Sequence, residues 1–231
     1  WAALALLSAI RFYIDWPSAD NHAYLLSYWC LAFAISGWLG DREGLFRNAR
    51  YRVALTFGVA ALQKWFSSDY LNGVFFLTTF LLDYRFEDFV VLFSSVTFEQ
   101  IDTARIYLEG DYRFTPAAQN MPFALPDSIW WLAILSTAWN LLEQTLIAIA
   151  FLLPKNSWLG RLRDPLLLLF CLTIYAVVPV VSFGWLVLAM GVAQSDGKSA
   201  PIRYCYLGVF FALIFFYEVP WAQLLNTSLF A

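Results

Sequence analysis

Residues 60–73 read AALQKWFSSDYLNG and place one lysine, Lys64, at the end of a long apolar run. Trp65 and Phe66 follow, then the polar break Ser67-Ser68-Asp69 and the turn Tyr70-Leu71-Asn72-Gly73. A cation at the edge of an apolar helix must snorkel to water, find a partner or lose its proton. The only histidine, His22, occupies a similar place in Asp20-Asn21-His22-Ala23-Tyr24-Leu25, where another apolar run begins.

Outward from this stretch, composition sets the class. The chain is 61% hydrophobic and 13% charged, whereas a soluble domain carries roughly half apolar and a quarter charged residues. Several runs approach the ~20 residues that cross a bilayer as a helix. None alternates as the strands of a membrane β-barrel would. The reading is therefore an all-α, polytopic transmembrane helical bundle, with residues 1–231 as one domain. Abundant Trp and Tyr suit aromatic belts at the membrane interfaces. Cys30, Cys171 and Cys205 fall within apolar runs and read as small buried residues. No metal is expected. The net charge of −3 is spread over loops and argues against nucleic acid. Residue 1 is Trp within an apolar segment, so a missing true start is expected.

About six membrane helices are expected, over residues 1–14, 23–39, 51–66, 128–153, 165–192 and 202–221. Asp15-Trp16-Pro17 ends the first, since proline resists continuing a helix. Gly40-Asp41-Arg42-Glu43 ends the second and opens a loop reaching Arg52. Pro179 stands mid-way in the fifth, which is long enough to be tilted or kinked there. Residues 67–127 hold apolar pieces, 74–82 and 89–93, that are too short to span. They read as short interfacial or re-entrant helices forming a cap over a site on the outer side. The tail of that region, residues 115–126, reads as a proline-containing loop.

Loop charges give the orientation. Arg42, Arg47, Arg50 and Arg52 precede the third span, and Lys155, Arg161 and Arg163 follow the fourth. The region between those spans is acidic. Basic loops stay on the cytoplasmic side, so the Lys64 end of the third span faces outside. Counting back, the second span begins outside, and His22 is expected on the same face as Lys64.

Two ordered motifs then carry a family resemblance. Asn21-His22-Ala23-Tyr24-Leu25 and Lys64-Trp65-Phe66-Ser67-Ser68-Asp69-Tyr70-Leu71-Asn72-Gly73 resemble the membrane domain of vitamin K-dependent γ-glutamyl carboxylase and its bacterial relatives, the horizontally transferred transmembrane (HTTM) domain. The resemblance covers roughly residues 15–85. It implies an enzyme that deprotonates reduced vitamin K, a hydroquinone, which oxygen converts to a strong base. That base abstracts a glutamate γ-proton, and carbon dioxide adds. It implies Lys64 as the starting base, His22 as its catalytic support, and Asn21, Tyr24, Trp65 and Tyr70 around a reduced quinone. A lysine in apolar surroundings has its pKa lowered and can act as a base. The chain departs from the family in lacking a late-helix His and Asn near residues 174–179, and the large soluble domain of the eukaryotic enzyme is not expected within residues 1–231.

Other readings stand beside this one. Lys64 can be a snorkelling anchor and His22 a polar residue at a helix start. Glu143, in the fourth span, is a separate candidate, since an intramembrane carboxylate is a functional position by default. Its structural counterpart is hydrogen bonding to Asn140 or Gln144. Arg203 and Glu218 lie near span ends and read as interfacial. The alternative to an enzyme is a non-catalytic subunit of a larger membrane complex; a transporter lacks support, with no repeat in the chain. Membrane lipid and other membrane subunits are the partners expected, and the location is a bacterial inner membrane.

Overall fold

Gly40, with φ +66°, and Asp41 decide where the second helix stops and the third starts. Glycine takes the left-handed conformation that ends a helix without a Cβ penalty. The Asp41 carboxylate then accepts from the Gly44 amide at 2.7 Å, capping the next helix at once. In this computed structural model, which describes residues 1–16, 21–110, 125–178, 180–195 and 200–218, the expected loop to Arg52 is therefore helical. Asp41 and Glu43 complement the positive end of the helix, and this local preference overrides the loop reading of the arginine cluster.

The described residues contain helices and no strand. The helices are α1 (Ala2–Ile14), α2 (Asn21–Leu39), α3 (Arg42–Trp65), α4 (Ser68–Leu71), α5 (Val74–Leu82), α6 (Glu87–Phe93), α7 (Phe98–Gly110), α8 (Asp127–Leu152), α9 (Trp158–Arg161), α10 (Arg163–Val177), α11 (Val181–Gln194) and α12 (Ala200–Glu218). A 3₁₀ turn, Tyr84–Phe86, joins α5 to α6. The side chains of Asn21, His22 and Glu218, and most of the loop expected over 115–126, lie outside the described residues.

Contacts divide the chain into two compact units. One gathers Trp1–Thr56, Ile147–Tyr175 and the described residues from Val180 onward; the other is built mainly on Phe57–Leu146. In the first, α1 packs along α2, with Trp1 stacked on Phe33 at 4.4 Å between ring centroids. Arg50 of α3 donates to the last carbonyls of α8: Nε to Phe151 at 2.6 Å, and Nη2 to Leu152 at 2.8 Å and Leu153 at 2.7 Å. Those carbonyls have no partner within their own helix, and a cation there also matches the helix dipole.

The expected fifth span is not one kinked helix. α10 stops at Val177 and α11 resumes at Val181, bracketing Pro179. Gln194, at the end of α11, donates to the Asp164 carboxylate at the start of α10. A Cβ on Gly184 would come within 2.8 Å of the Tyr175 ring. α10 and α11 are thus antiparallel arms of a hairpin. Proline withholds an amide donor and clashes with the preceding turn, and here the chain reverses instead of bending. Tyr206 of α12 closes the arrangement by donating to Asp164 at 2.8 Å.

In the second unit, α4 to α7 are short and pack on one another. Phe80 is fully buried, with its ring against Phe86 and Phe89. Arg105 is also buried; it pairs with Glu87 at 2.5 Å and Asp102 at 3.0 Å, and covers the Tyr84 ring. A buried guanidinium requires such pairing.

By length and composition α8 is the one described helix able to cross a membrane alone; α1, most of α2, α11 and most of α12 are shorter apolar helices. Large apolar side chains are exposed in stripes at helical spacing: Trp131, Leu135, Leu142 and Ile149 on α8, and Tyr204, Leu207, Phe211 and Phe215 on α12.

Candidate functional site

α8 carries a polar row on its inward stripe. Thr137, Asn140 and Gln144 recur at helical spacing among buried Ile129, Ala133 and Ile147, and all three are buried. Glu143 beside them is 3% exposed. Asn140 lies roughly 20 Å from the start of α8 at 1.5 Å per residue, close to the middle of that 26-residue helix.

Lys64 reaches this row from the last turn of α3. Its Nζ donates to Asn140 Oδ1 at 2.9 Å and to Gln144 Oε1 at 2.6 Å. The buried Tyr70 hydroxyl donates to the same Asn140 oxygen at 2.7 Å. The Tyr70 ring centroid is 5.3 Å from Nζ. Trp65, about half exposed, donates from Nε1 to Thr145 Oγ1 at 3.2 Å.

The local sequence sets this geometry. Ser67 caps α4 by accepting from the Tyr70 amide at 3.3 Å. That cap turns the chain directly after α3 and directs Tyr70 inward. Gly73 adopts φ +81°, and a Cβ there would come within 2.7 Å of Ile134 Cδ1. The Asn72-Gly73 turn thus permits both the reversal and a close approach to α8.

Lys64, Trp65 and Tyr70 are therefore gathered on α8. Tyr24 is in the other unit, with its ring 3.9 Å from that of Phe12 and 6.2 Å from that of Trp16. Asn21 and His22 begin α2, and their side chains lie outside the described residues. Asn140 and Gln144, which the sequence offers as alternative hydrogen-bond partners of Glu143, accept from Lys64 through their side-chain oxygens. The signal available in the sequence was their spacing with Thr137, which puts all three on one stripe. Lys64 was expected at a span edge, yet its partners lie at mid-helix on α8.

In chemical terms the cluster is a lysine held by neutral amide oxygens beside a phenol. A neutral amine has two N–H donors and a lone pair, whereas an ammonium has three donors. Asn140 and Gln144 provide acceptors for two N–H groups. Nearby, a cleft of about 590 Å³ is lined by Phe75, Thr78, Leu82, Tyr84, Ser67 and Asp69, and Lys64 does not line it. No protein-family model, no curated protein and no solved structure matches the chain.

Proposed function

We propose that this chain is a polytopic membrane protein of about six membrane units, with Lys64 as general base toward an acidic hydroxyl of a lipid-borne hydroquinone such as reduced vitamin K. The units are α1, α2, α3, α8, the α10–α11 hairpin and α12. Support comes from the apolar helices and their exposed apolar stripes, which lipid would cover at no cost. Basic residues at the Arg50 end of α3 and after α8 set those ends toward the cytoplasm of a bacterial inner membrane. Access to Lys64 is then from the outer side, past α4 to α7.

The observation that carries the reading is the donor count at Lys64. Two amide acceptors hold a neutral amine in place and leave its lone pair for an incoming hydroxyl. Tyr70, by donating to Asn140, keeps that amide oxygen directed at the cluster. A hydroquinone, when bound, supplies the acidic hydroxyl for quinol-dependent proton abstraction or carboxylation, in the manner of the HTTM resemblance. Lys64 takes the proton at Nζ, and Trp65 and Tyr70 offer aromatic surface.

A second reading is favoured by the Tyr70 ring. With the ring as third partner, an ammonium is satisfied within the protein. Lys64 then braces α3 to α8 in a non-catalytic subunit of a larger complex. The two readings separate on purification in lipid nanodiscs. The enzyme reading expects a retained quinone, lost in Lys64→Met together with quinol-dependent turnover. A stoichiometric membrane partner, no quinone in the wild type and unchanged assembly in Lys64→Met would replace it with the subunit reading.

A further inference from the structure

A second polar site lies in the first unit, apart from the Lys64 cluster. A cleft of about 380 Å³ is lined by Arg47, Arg50, Lys155 and Arg163, with Glu43 and Gln194. Water takes roughly 30 Å³ per molecule, so the cleft admits a small polar headgroup.

Two of its lining residues, Arg163 and Gln194, each carry a buried bonding group without a partner. Arg163 is 3% exposed, and its Nε has no hydrogen-bond partner; Asp164 Oδ2 stands 3.9 Å away. Asp164 is committed elsewhere, because Gln194 Nε2 and the Tyr206 hydroxyl both donate to its Oδ1. Gln194 is 5% exposed, and its Oε1 also lacks a partner. A buried donor and a buried acceptor left unmade are each costly, and both belong to residues that line one basic cleft. An anionic oxygen satisfies Arg163, and a hydroxyl hydrogen satisfies Gln194. Arginine forks match phosphate oxygens, and basic pockets at the ends of membrane helices suit phosphate headgroups.

We propose that this cleft binds a phosphate ester carrying a free hydroxyl, of the glycerol-phosphate class, with the phosphate on Arg163 and the hydroxyl donating to Gln194 Oε1. Such a group occurs in the headgroup of phosphatidylglycerol and as free glycerol phosphate. The site is independent of any chemistry at Lys64.

Native mass spectrometry of the full chain in a zwitterionic detergent tests the proposal, with phosphatidylglycerol, phosphatidylmethanol, phosphatidylcholine and glycerol 3-phosphate as probes. Phosphatidylglycerol should be retained over phosphatidylcholine, and over phosphatidylmethanol, which is anionic but has no headgroup hydroxyl. Glycerol 3-phosphate binding as tightly as the lipid would uphold the site and assign a soluble ligand. Arg163 is buried, so its replacement can disturb folding; Arg47 and Lys155 are exposed. The double variant R47Q/K155Q should lower retention on the order of tenfold with unchanged melting. Equal retention of phosphatidylglycerol and phosphatidylcholine without glycerol 3-phosphate binding, or retention unaffected in R47Q/K155Q, overturns the site. Equal retention of phosphatidylglycerol and phosphatidylmethanol overturns the contact assigned to Gln194.

Discussion

The Tyr70 hydroxyl donates to Asn140 Oδ1 at 2.7 Å, linking a four-residue helix to the middle of the longest of the described helices. Tyr70→Phe removes that donor, while Asn140 still accepts from Lys64. The expected loss is about 1 kcal/mol, read from thermal unfolding in detergent. An unchanged midpoint would mean that the bond contributes nothing to the fold.

Lys64 and Gln144 should couple. Lys64→Met leaves the Gln144 oxygen facing an apolar side chain, while Asn140 keeps the donor from Tyr70, at a cost of roughly 1–3 kcal/mol. Adding Gln144→Leu should recover part of it, because losing both partners is milder than losing one. A double-mutant cycle over K64M and Q144L measures this directly. Strict additivity would argue against the bond.

Gly73→Ala should destabilise by roughly 1–2 kcal/mol, because alanine at φ +81° is strained and its Cβ meets Ile134. Ile134→Ala in the same background should relieve the contact and leave the backbone strain. The variants can be ranked by thermal melting. Full recovery in the double variant would show that only the contact mattered.

Asp83 sets an acid limit on the α5–α6 junction. Hydrogen bonds from the Arg85 side chain, Nη2 at 2.6 Å and Nε at 3.0 Å, hold its carboxyl below the ordinary aspartate value. Its contribution is therefore complete above about pH 4 and fades as pH falls through the lowered value. Arg85 is half exposed, so the gain is about 0.2–1 kcal/mol. Arg85→Ala should move the Asp83 titration upward in NMR. An unmoved midpoint would assign the shift to another neighbour.

The helical class was legible because apolar runs dominate the composition and lack strand alternation. The fold-back after Lys64 was legible because Ser67 and Gly73 mark the turn that directs Tyr70 toward α8. The partners on α8 were not, since Asn140 and Gln144 stand one turn apart and sequence offers Glu143 as their neighbour. Only packing turns their oxygens to a lysine distant in the chain. Pro179 showed that regular helix would be interrupted, but bend and reversal share that signal. Gly184 against Tyr175 and Gln194 against Asp164 decide for reversal. Gly40-Asp41 was a complete helix stop and start, obscured by the arginines that follow.

The separation of 76 residues between Lys64 and Asn140 also has a meaning in time. Ribosomes extend a chain at roughly 5–20 residues per second. Once Lys64 has been synthesised, its acceptor on α8 follows on the order of 4–15 s later. Throughout that interval the nascent chain carries an unmatched amine at the end of an apolar segment. Ser67 and Gly73, which mark the cap and the turn, are synthesised well before then. The turn at Gly73 thus enters the chain long before Ile134, the α8 residue it approaches.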